Sequence, residues 1–427
     1  MVSDNVIEWL ASSPSPFHAT ALLRERLLKE GYEELSEREV PALKEGHGYF
    51  YTRNGSSLIA FYVPHKEKAS FRLSMVHLDS PTWKLKPHPV VEKEEGTVLD
   101  VEPYGGLIDY TWFDRPLTIA GRVMVKEGNA IRSRLLYVDR DLLSIPSLAI
   151  HLNRGVNDSA HFDRKGETFP LLALGPVDFE TFLGKELGIK KEDVLSFDLF
   201  LVNRSKPCKS GLNEEFLLSP RLDDLASAYS SFLSFLAAKK EGDIQVYYAA
   251  DNEEVGSLTR QGAASTFLQD TLKRIASSLG FDYRAAVASS FALSIDNAHA
   301  THPNYAQFAD PTSRVILGKG IVIKSAASET YTTNAFSSAL LKALAQKKKI
   351  PYQEFTNRSD LRGGSTLGNL STAEVPLLTA DIGIPQLAMH ASYELCAVKD
   401  IDAMAAFVQA FYSASFEVKE DGYLFLN

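Results

Sequence analysis

Five short segments carry side chains able to hold a metal ion: His77-Leu78-Asp79-Ser80-Pro81, Arg221-Leu222-Asp223-Asp224-Leu225, Asp251-Asn252-Glu253-Glu254-Val255-Gly256, Ile295-Asp296-Asn297-Ala298-His299 and Ala388-Met389-His390. Four of them sit at strand ends, and the Asp223 segment opens a helical pattern. In His77-x-Asp79 a carboxylate two residues on can accept the second imidazole N–H, which fixes the tautomer and ring orientation of a ligating histidine. Standing alone, His77 would more often be a satisfied interior histidine and Asp79 a turn residue before Pro81. Glu253 and Glu254 follow a strand, and in an extended pair their side chains point opposite ways. One could bind metal while the other reaches an attacking water. Buried without cations, such a pair is costly; solvated, it is an acidic turn. Asp223 or Asp224 could simply suit the dipole of a helix that Pro220 starts. Asp296 ends a buried strand, where a carboxylate needs a partner.

Two carboxylates and a histidine on one side, plus a shared bridging carboxylate, make two neighbouring sites of oxygen and imidazole donors. That set suits zinc, with manganese or cobalt as alternatives. Paired metals ~3.5 to 4 Å apart hold a hydroxide between them and polarise a carbonyl while a free carboxylate moves the proton. The chemistry so specified is amide hydrolysis.

Such groups must be carried by a rigid α/β scaffold whose strands end at the site. Helical spacing predicts helices over Phe17 to Glu30, Arg221 to Ala238, Ala335 to Ala345 and Ile401 to Tyr412. Strands are expected at Leu58 to Val63 and Phe71 to Val76, read as a pair across Pro64-His65-Lys66-Glu67, and at Ile244 to Ala250 and Phe291 to Ile295. Between them lie short β-rich runs (Thr97 to Val101, Leu117 to Ile119, Arg122 to Val125, Leu195 to Val202) broken by Gly105-Gly106, Gly121 and Gly128. The expected architecture is an α/β/α sandwich on a mostly parallel sheet, residues 1–86 and 208–427, interrupted by a β-rich domain over 87–207.

With 427 residues, 45% of them apolar, the chain can fill two cores. A net charge of −9 disfavours nucleic acid and anionic membranes as partners and leaves small or peptide substrates. Cys208 and Cys396 are too few and too isolated for a disulfide framework. The first ten residues carry Asp4 and Glu8 in place of a basic n-region, so a cytoplasmic location is expected.

The ligand order, with Tyr104-Gly105-Gly106, Arg115-Pro116-Leu117, Ile145-Pro146-Ser147-Leu148-Ala149-Ile150-His151, Asp296-x-Ala298-His299-Ala300-x-His302-Pro303-Asn304-Tyr305 and Gly363-Gly364-Ser365-Thr366, resembles the aspartyl aminopeptidase family of co-catalytic zinc exopeptidases, which includes the vacuolar aminopeptidase I of yeast. The resemblance spans nearly the whole chain. It implies removal of N-terminal residues from peptides, a β-rich dimerisation domain inserted in the catalytic one, and homo-oligomers that are often dodecamers. It also implies two zinc ions per subunit: His77 and Asp296 on one, Glu254 and His390 on the other, Asp223 bridging, Glu253 as general base and Asp79 orienting His77. His151 would reach a neighbouring subunit's site, and Lys324, Gly363, Gly364 and Ser365 would touch substrate. Departures are Asp224 after the bridging residue, where the family commonly has Asn, and Asn297 after Asp296.

Family members prefer acidic N-terminal residues, and relatives prefer leucine or other neutral ones. A carboxypeptidase or N-acyl amino acid deacylase of the same clan would share the ligand order. A metal-binding scaffold without turnover is the reading from another class, and Glu253 argues against it, since a structural site needs no free carboxylate beside its ligands.

Overall fold

Strands apolar at nearly every position must be covered on both faces, and Ser57–Val63 and Asp243–Ala250 are of this kind. Side-chain alternation sends Leu58, Ala60, Tyr247 and Ala249 into one core and Ile59, Phe61, Val246 and Tyr248 into another. Helices Val2–Ser12, Pro16–Lys29, Leu222–Ala237, Ala335–Lys348 and Val398–Ser413 close the first core; Phe267–Leu279, Tyr283–Ala288 and Leu367–Glu374 close the second. The result is the expected α/β/α sandwich, seen in a computed structural model that describes residues 2–65, 68–361, 363–420 and 422–426.

The central sheet runs Glu33–Glu34, His47–Arg53, Ser57–Val63, Asp243–Ala250, Lys68–His77, Phe291–Ile295, Leu378–Gly383, Ile321–Lys324, Tyr352–Phe355. Five of its eight strand pairs are parallel. The expected pairing of Leu58 to Val63 with Phe71 to Val76 is corrected: Asp243–Ala250 lies between those strands, antiparallel to the first and parallel to the second. Strands buried on both faces need a neighbour on each edge as well, and long-range pairing supplied what the nearby segment did not. Of the segment joining them, Lys66 and Glu67 lie outside the described residues.

A second sheet, with its own core around Trp83, Val101, Ile119 and Leu199, is ordered Ala130–Tyr137, Leu117–Glu127, Val194–Asn203, Thr82–Lys93, Gly96–Tyr104, Leu171–Ala173. The two runs expected at Leu117 to Ile119 and Arg122 to Val125 form one strand. Gly121 sits inside it because a Cβ there would lie 2.0 Å from the Asp198 carbonyl oxygen of the adjacent strand. A third sheet has five strands, in the order Cys208–Ser210, Phe216–Ser219, Glu394–Ala397, Pro385–Leu387, Ala298–His299. Cys208 is exposed and Cys396 buried, and neither forms a disulfide. No helix among the described residues is long and apolar enough to cross a membrane.

Candidate metal centre

Parallel neighbours in the central sheet end side by side, and their C-terminal ends bring His77, Asp251 to Glu254 and Asp296 together. Asp223 comes from the start of Leu222–Ala237. That start differs from the expected regular helix opening: Arg221 has a φ of 58°, Asp223 and Asp224 have non-helical torsions, and the peptide joining them is cis. Pro220 therefore precedes an irregular entry. His390, with a φ of 68°, lies between Pro385–Leu387 and Glu394–Ala397.

Three sets of side chains have ligand atoms within 4.8 Å of one another: His77, Asp223 and Asp296; Asp223, Glu254 and His390; and His77, Glu253 and Glu254. Asp223 Oδ1 lies 3.5 Å from His77 Nε2 and its Oδ2 lies 3.7 Å from His390 Nε2, which is 3.5 Å from Glu254 Oε2. Both histidines turn Nδ1 away from the cluster: His77 Nδ1–H donates to the Asp79 carbonyl at 3.1 Å and His390 Nδ1–H to the Gly106 carbonyl at 3.0 Å. Each Nε2 lone pair is thereby presented to the cavity. Asp224 is buried behind His77, its Oδ2 accepting the His77 N–H at 3.4 Å, and belongs to none of the three sets.

Glu253 and Glu254 are not an extended pair. They occupy a 3-10 turn, Glu253–Val255, entered through Asn252 at a φ of 61°. The Asp79 carboxylate imposes this turn. It accepts the N–H groups of Glu253 and Glu254, each at 3.1 Å, and the Tyr104 hydroxyl at 2.8 Å, whereas its Oδ1 is 3.5 Å from His77 Nδ1. Both Asp79 oxygen groups therefore face the His77 imidazole, the main-chain oxygen the nearer at 3.1 Å and the carboxylate at 3.5 Å, and the carboxylate in addition orients the glutamates. Gly105, at a φ of 77°, allows the close approach, since a Cβ there would stand 3.1 Å from Glu254 Cβ.

The cavity these groups line measures about 170 Å3 and is completed by Asn297, His299, Lys324, Tyr331, Phe355, Gly364, Ser365 and Met389. Lys324 is buried, donating to the carbonyls of Asp296 and Asn297 at 2.7 and 3.3 Å, with Asp296 Oδ2 at 3.7 Å. Burial opposes its charge, but Asp296, Tyr331 and Asp381 outweigh it and hold the ammonium above the ordinary lysine value. Gly363 packs against Asn357 and lines the adjoining hollow instead. His151 is exposed, far along the loop of the second sheet, and is not among the cavity's lining residues. Asn297 is buried and structural, donating to the Leu222 carbonyl and to Gln386 Oε1, each at 2.8 Å.

Two buried acids escaped the sequence reading. Glu394 accepts the main-chain N–H of His390 at 2.8 Å and of Asp223 at 3.1 Å. Asp381 accepts the Thr332 N–H and the Thr332 and Thr366 hydroxyls, each at 2.6 Å, tying down the neighbours of Tyr331 and Ser365. A Glu four residues after a candidate ligand, at the head of the apolar run Leu395 to Val398, was the one available signal for the first.

Residues 9–412 match the family described as Aminopeptidase I zinc metalloprotease (M18). The chain belongs to the M18 family. It is 40% identical, over 93% of its length and 95% of the relative's, to the probable M18 family aminopeptidase 2 of Clostridium novyi. The Chaetomium thermophilum mApe1 structure superposes with a TM-score of 0.87 at 30% identity, covering 96% of this chain and 97% of that one. The S. cerevisiae mApe1 dodecamer does so with a TM-score of 0.85 at 25% identity, covering 96% of each chain. This M18 protein is accordingly a zinc metallo-aminopeptidase.

The donor set fits zinc. It offers two imidazole nitrogens and carboxylate oxygens, and Asp223 Oδ1 is buried with no hydrogen-bond partner. Without a cation the acids crowd one another. Burial first, then Asp296, Asp79 and Asp223 against the relief from His77, push Glu253 up to about 8; burial and Asp223 push Asp296 up to about 6 despite Lys324. Burial pushes Glu254 well above the carboxylate range. A carboxyl with a raised folded-state pKa keeps a proton that the unfolded chain has lost. For Glu253 this happens between 4.5 and about 8, so zinc-free protein loses stability as pH rises through that window. Zinc requires ionised ligands and relieves their repulsion. The gap in melting temperature between zinc-loaded and zinc-free protein should therefore widen from pH ~6 to ~8 in scanning calorimetry. A gap that stays constant would remove these carboxylates from the zinc site.

Proposed function

We propose that this aminopeptidase holds two zinc ions, with His77 and Asp296 on one, Glu254 and His390 on the other, Asp223 shared between them, and Glu253 as general base. One observation carries the reading: the two oxygens of Asp223 face two different imidazoles, at 3.5 and 3.7 Å. Asp224 has no such outlook, which favours Asp223 as the bridge. Manganese or cobalt would also suit these oxygen and nitrogen donors.

Zinc, when bound, polarises the scissile carbonyl and makes a water acidic near neutral pH. Glu253, outside the two proposed ligand sets yet within ligand distance of His77 and Glu254, takes the proton from the attacking water and returns it to the leaving amine. Asp79 fixes the direction of that carboxylate through the two main-chain N–H groups it accepts. Gly364 and Ser365 form the wall against which the substrate's N-terminal residue rests.

We further read residues 87–207 as an inserted dimerisation domain, and the protein as a dimer-based, dodecameric homo-oligomer that acts on peptides in the cytoplasm. Leu148, Ile150 and Leu152 around His151 are 59%, 47% and 75% exposed, as side chains awaiting another copy would be. That contact would bring His151 into a neighbour's site. The substrate preference is for N-terminal Asp or Glu, with Lys324 as the cation that meets the side-chain carboxylate. Its two bonds to main-chain carbonyls favour a second reading, in which Lys324 only stiffens the Asp296 strand end or meets the developing oxyanion.

Replacing the base by Glu253→Gln should leave zinc content unchanged and lower kcat by at least roughly two orders of magnitude. Undiminished turnover in zinc-replete enzyme would end its role. His151→Ala should cost activity without loss of zinc, and mixing it with Glu253→Gln under conditions of subunit exchange should restore part of it; no recovery after confirmed exchange would confine His151 to its own subunit. For specificity, kcat/KM should favour Asp and Glu over Leu and Ala by about ten- to a hundredfold, a charge-assisted hydrogen bond being worth about 1.5 to 3 kcal/mol. Lys324→Met should erase that preference, and a uniform fall on all four substrates would favour the second reading.

A further inference from the structure

We propose that Glu394 is a positioning residue that sets the affinity of the zinc position built by Asp223, Glu254 and His390, through its hold on the main chain of two of these three residues. The inference rests on the ligand assignment given above. Glu394 stands at the head of the strand Glu394–Ala397 and is 2% exposed. Its Oε1 accepts the His390 N–H at 2.8 Å and the Gln386 side-chain amide at 3.3 Å; its Oε2 accepts the Asp223 N–H at 3.1 Å. A buried side chain whose two oxygens together accept three N–H groups holds those donors in fixed positions.

Both residues it grips lack regular structure. His390 has a φ of 68°, a left-handed conformation that a histidine rarely adopts unaided, and Asp223 has φ −83° and ψ 112° at the entry of a helix. Neither N–H is taken up by a helix or sheet ladder: Glu394 holds the His390 N–H, and it holds the Leu222–Asp223 peptide from the N–H side while the Asn297 amide bonds the Leu222 carbonyl at 2.8 Å. The two zinc positions depend on it unequally. His77 and Asp296 are fixed from elsewhere, the one by the Asp79 carbonyl and the other by its N–H bond to the Ile382 carbonyl at 3.0 Å, so their position depends on Glu394 only through Asp223. The His390 side chain is 30% exposed; beyond Glu394, its Nδ1–H bonds the Gly106 carbonyl at 3.0 Å and its main-chain carbonyl accepts the Ile108 N–H at 3.1 Å.

The test is zinc retention. Holoenzyme of the wild type, Glu394→Gln, His390→Ala and the double variant is dialysed against buffers of graded free zinc, and bound zinc per chain is counted. In Glu394→Gln the amide nitrogen replaces one acceptor with a donor, so one of the two N–H groups is left facing another donor. The zinc step that His390→Ala abolishes should weaken by about ten- to a hundredfold, the usual cost of losing an outer hydrogen-bond partner of a metal ligand, while the other step moves far less. The double variant should retain the remaining zinc as His390→Ala does, because both changes act on one position. Should Glu394→Gln fail to fold, Glu394→Asp, which withdraws the carboxylate by one methylene, should give the same pattern. That step left unchanged in Glu394→Gln, while His390→Ala loses it, overturns the inference alone. Equal weakening of both steps with a lower melting temperature of the zinc-free variant also overturns it, by making Glu394 a fold residue. Two zinc ions retained by His390→Ala would defeat the ligand assignment, and the inference with it.

Discussion

Carboxylates withdrawn from water need a positive answer, and around this cavity the answer comes in two forms. Asp223, Glu253, Glu254 and Asp296 face inward, toward one another and two imidazoles. Asp79, Asp381 and Glu394 face outward and are met by N–H and O–H groups of the chain itself. The outward acids convert their desolvation into geometry. Each grips main chain beside a residue of the cavity, so the inward acids stand where their own repulsion would not leave them.

The three sheets divide this labour. The central one supplies a rank of strand ends, and the small one carries the His390 loop and Glu394. The second sheet reaches across with Tyr104, whose hydroxyl bonds Asp79 and accepts from Asn252, and with the Gly106 carbonyl that turns His390. An orienting group for one imidazole and a support for the glutamate turn thus come from a different core than the ligands do. Gly105 is bare because a side chain there would crowd Glu254.

The site was legible in the sequence to the extent that its groups follow apolar runs. His77, Glu253, Glu254 and Asp296 end strands whose burial is written in their composition, and the structure brings all of them, with Asp223 and His390, into one cluster. What could not be read depends on contacts distant in the chain. Nothing local says that Asp243–Ala250 separates two strands adjacent in sequence, or that the Asp79 carboxylate reaches the N–H groups of residues 253 and 254 and bends them into a turn. Asp381 left no local signal for the same reason, and Glu394 left only its place four residues after His390. An acid that bonds main chain has no partner residue type to betray it. His151 is exposed and does not line the cavity, so its own packing marks no role.

The route of the chain through this cluster has a chronological side. The groups that compose it are spread from His77 to His390, with the Gly106 carbonyl between, so a ribosome delivers the acids long before the last imidazole. Until the strands around residues 385 to 397 have joined the small sheet, the nascent protein carries a nest of acids with half of its nitrogen donors missing. Closure of the site is thus tied to the slow, non-local part of folding, which begins only when both ends of the sandwich are in hand.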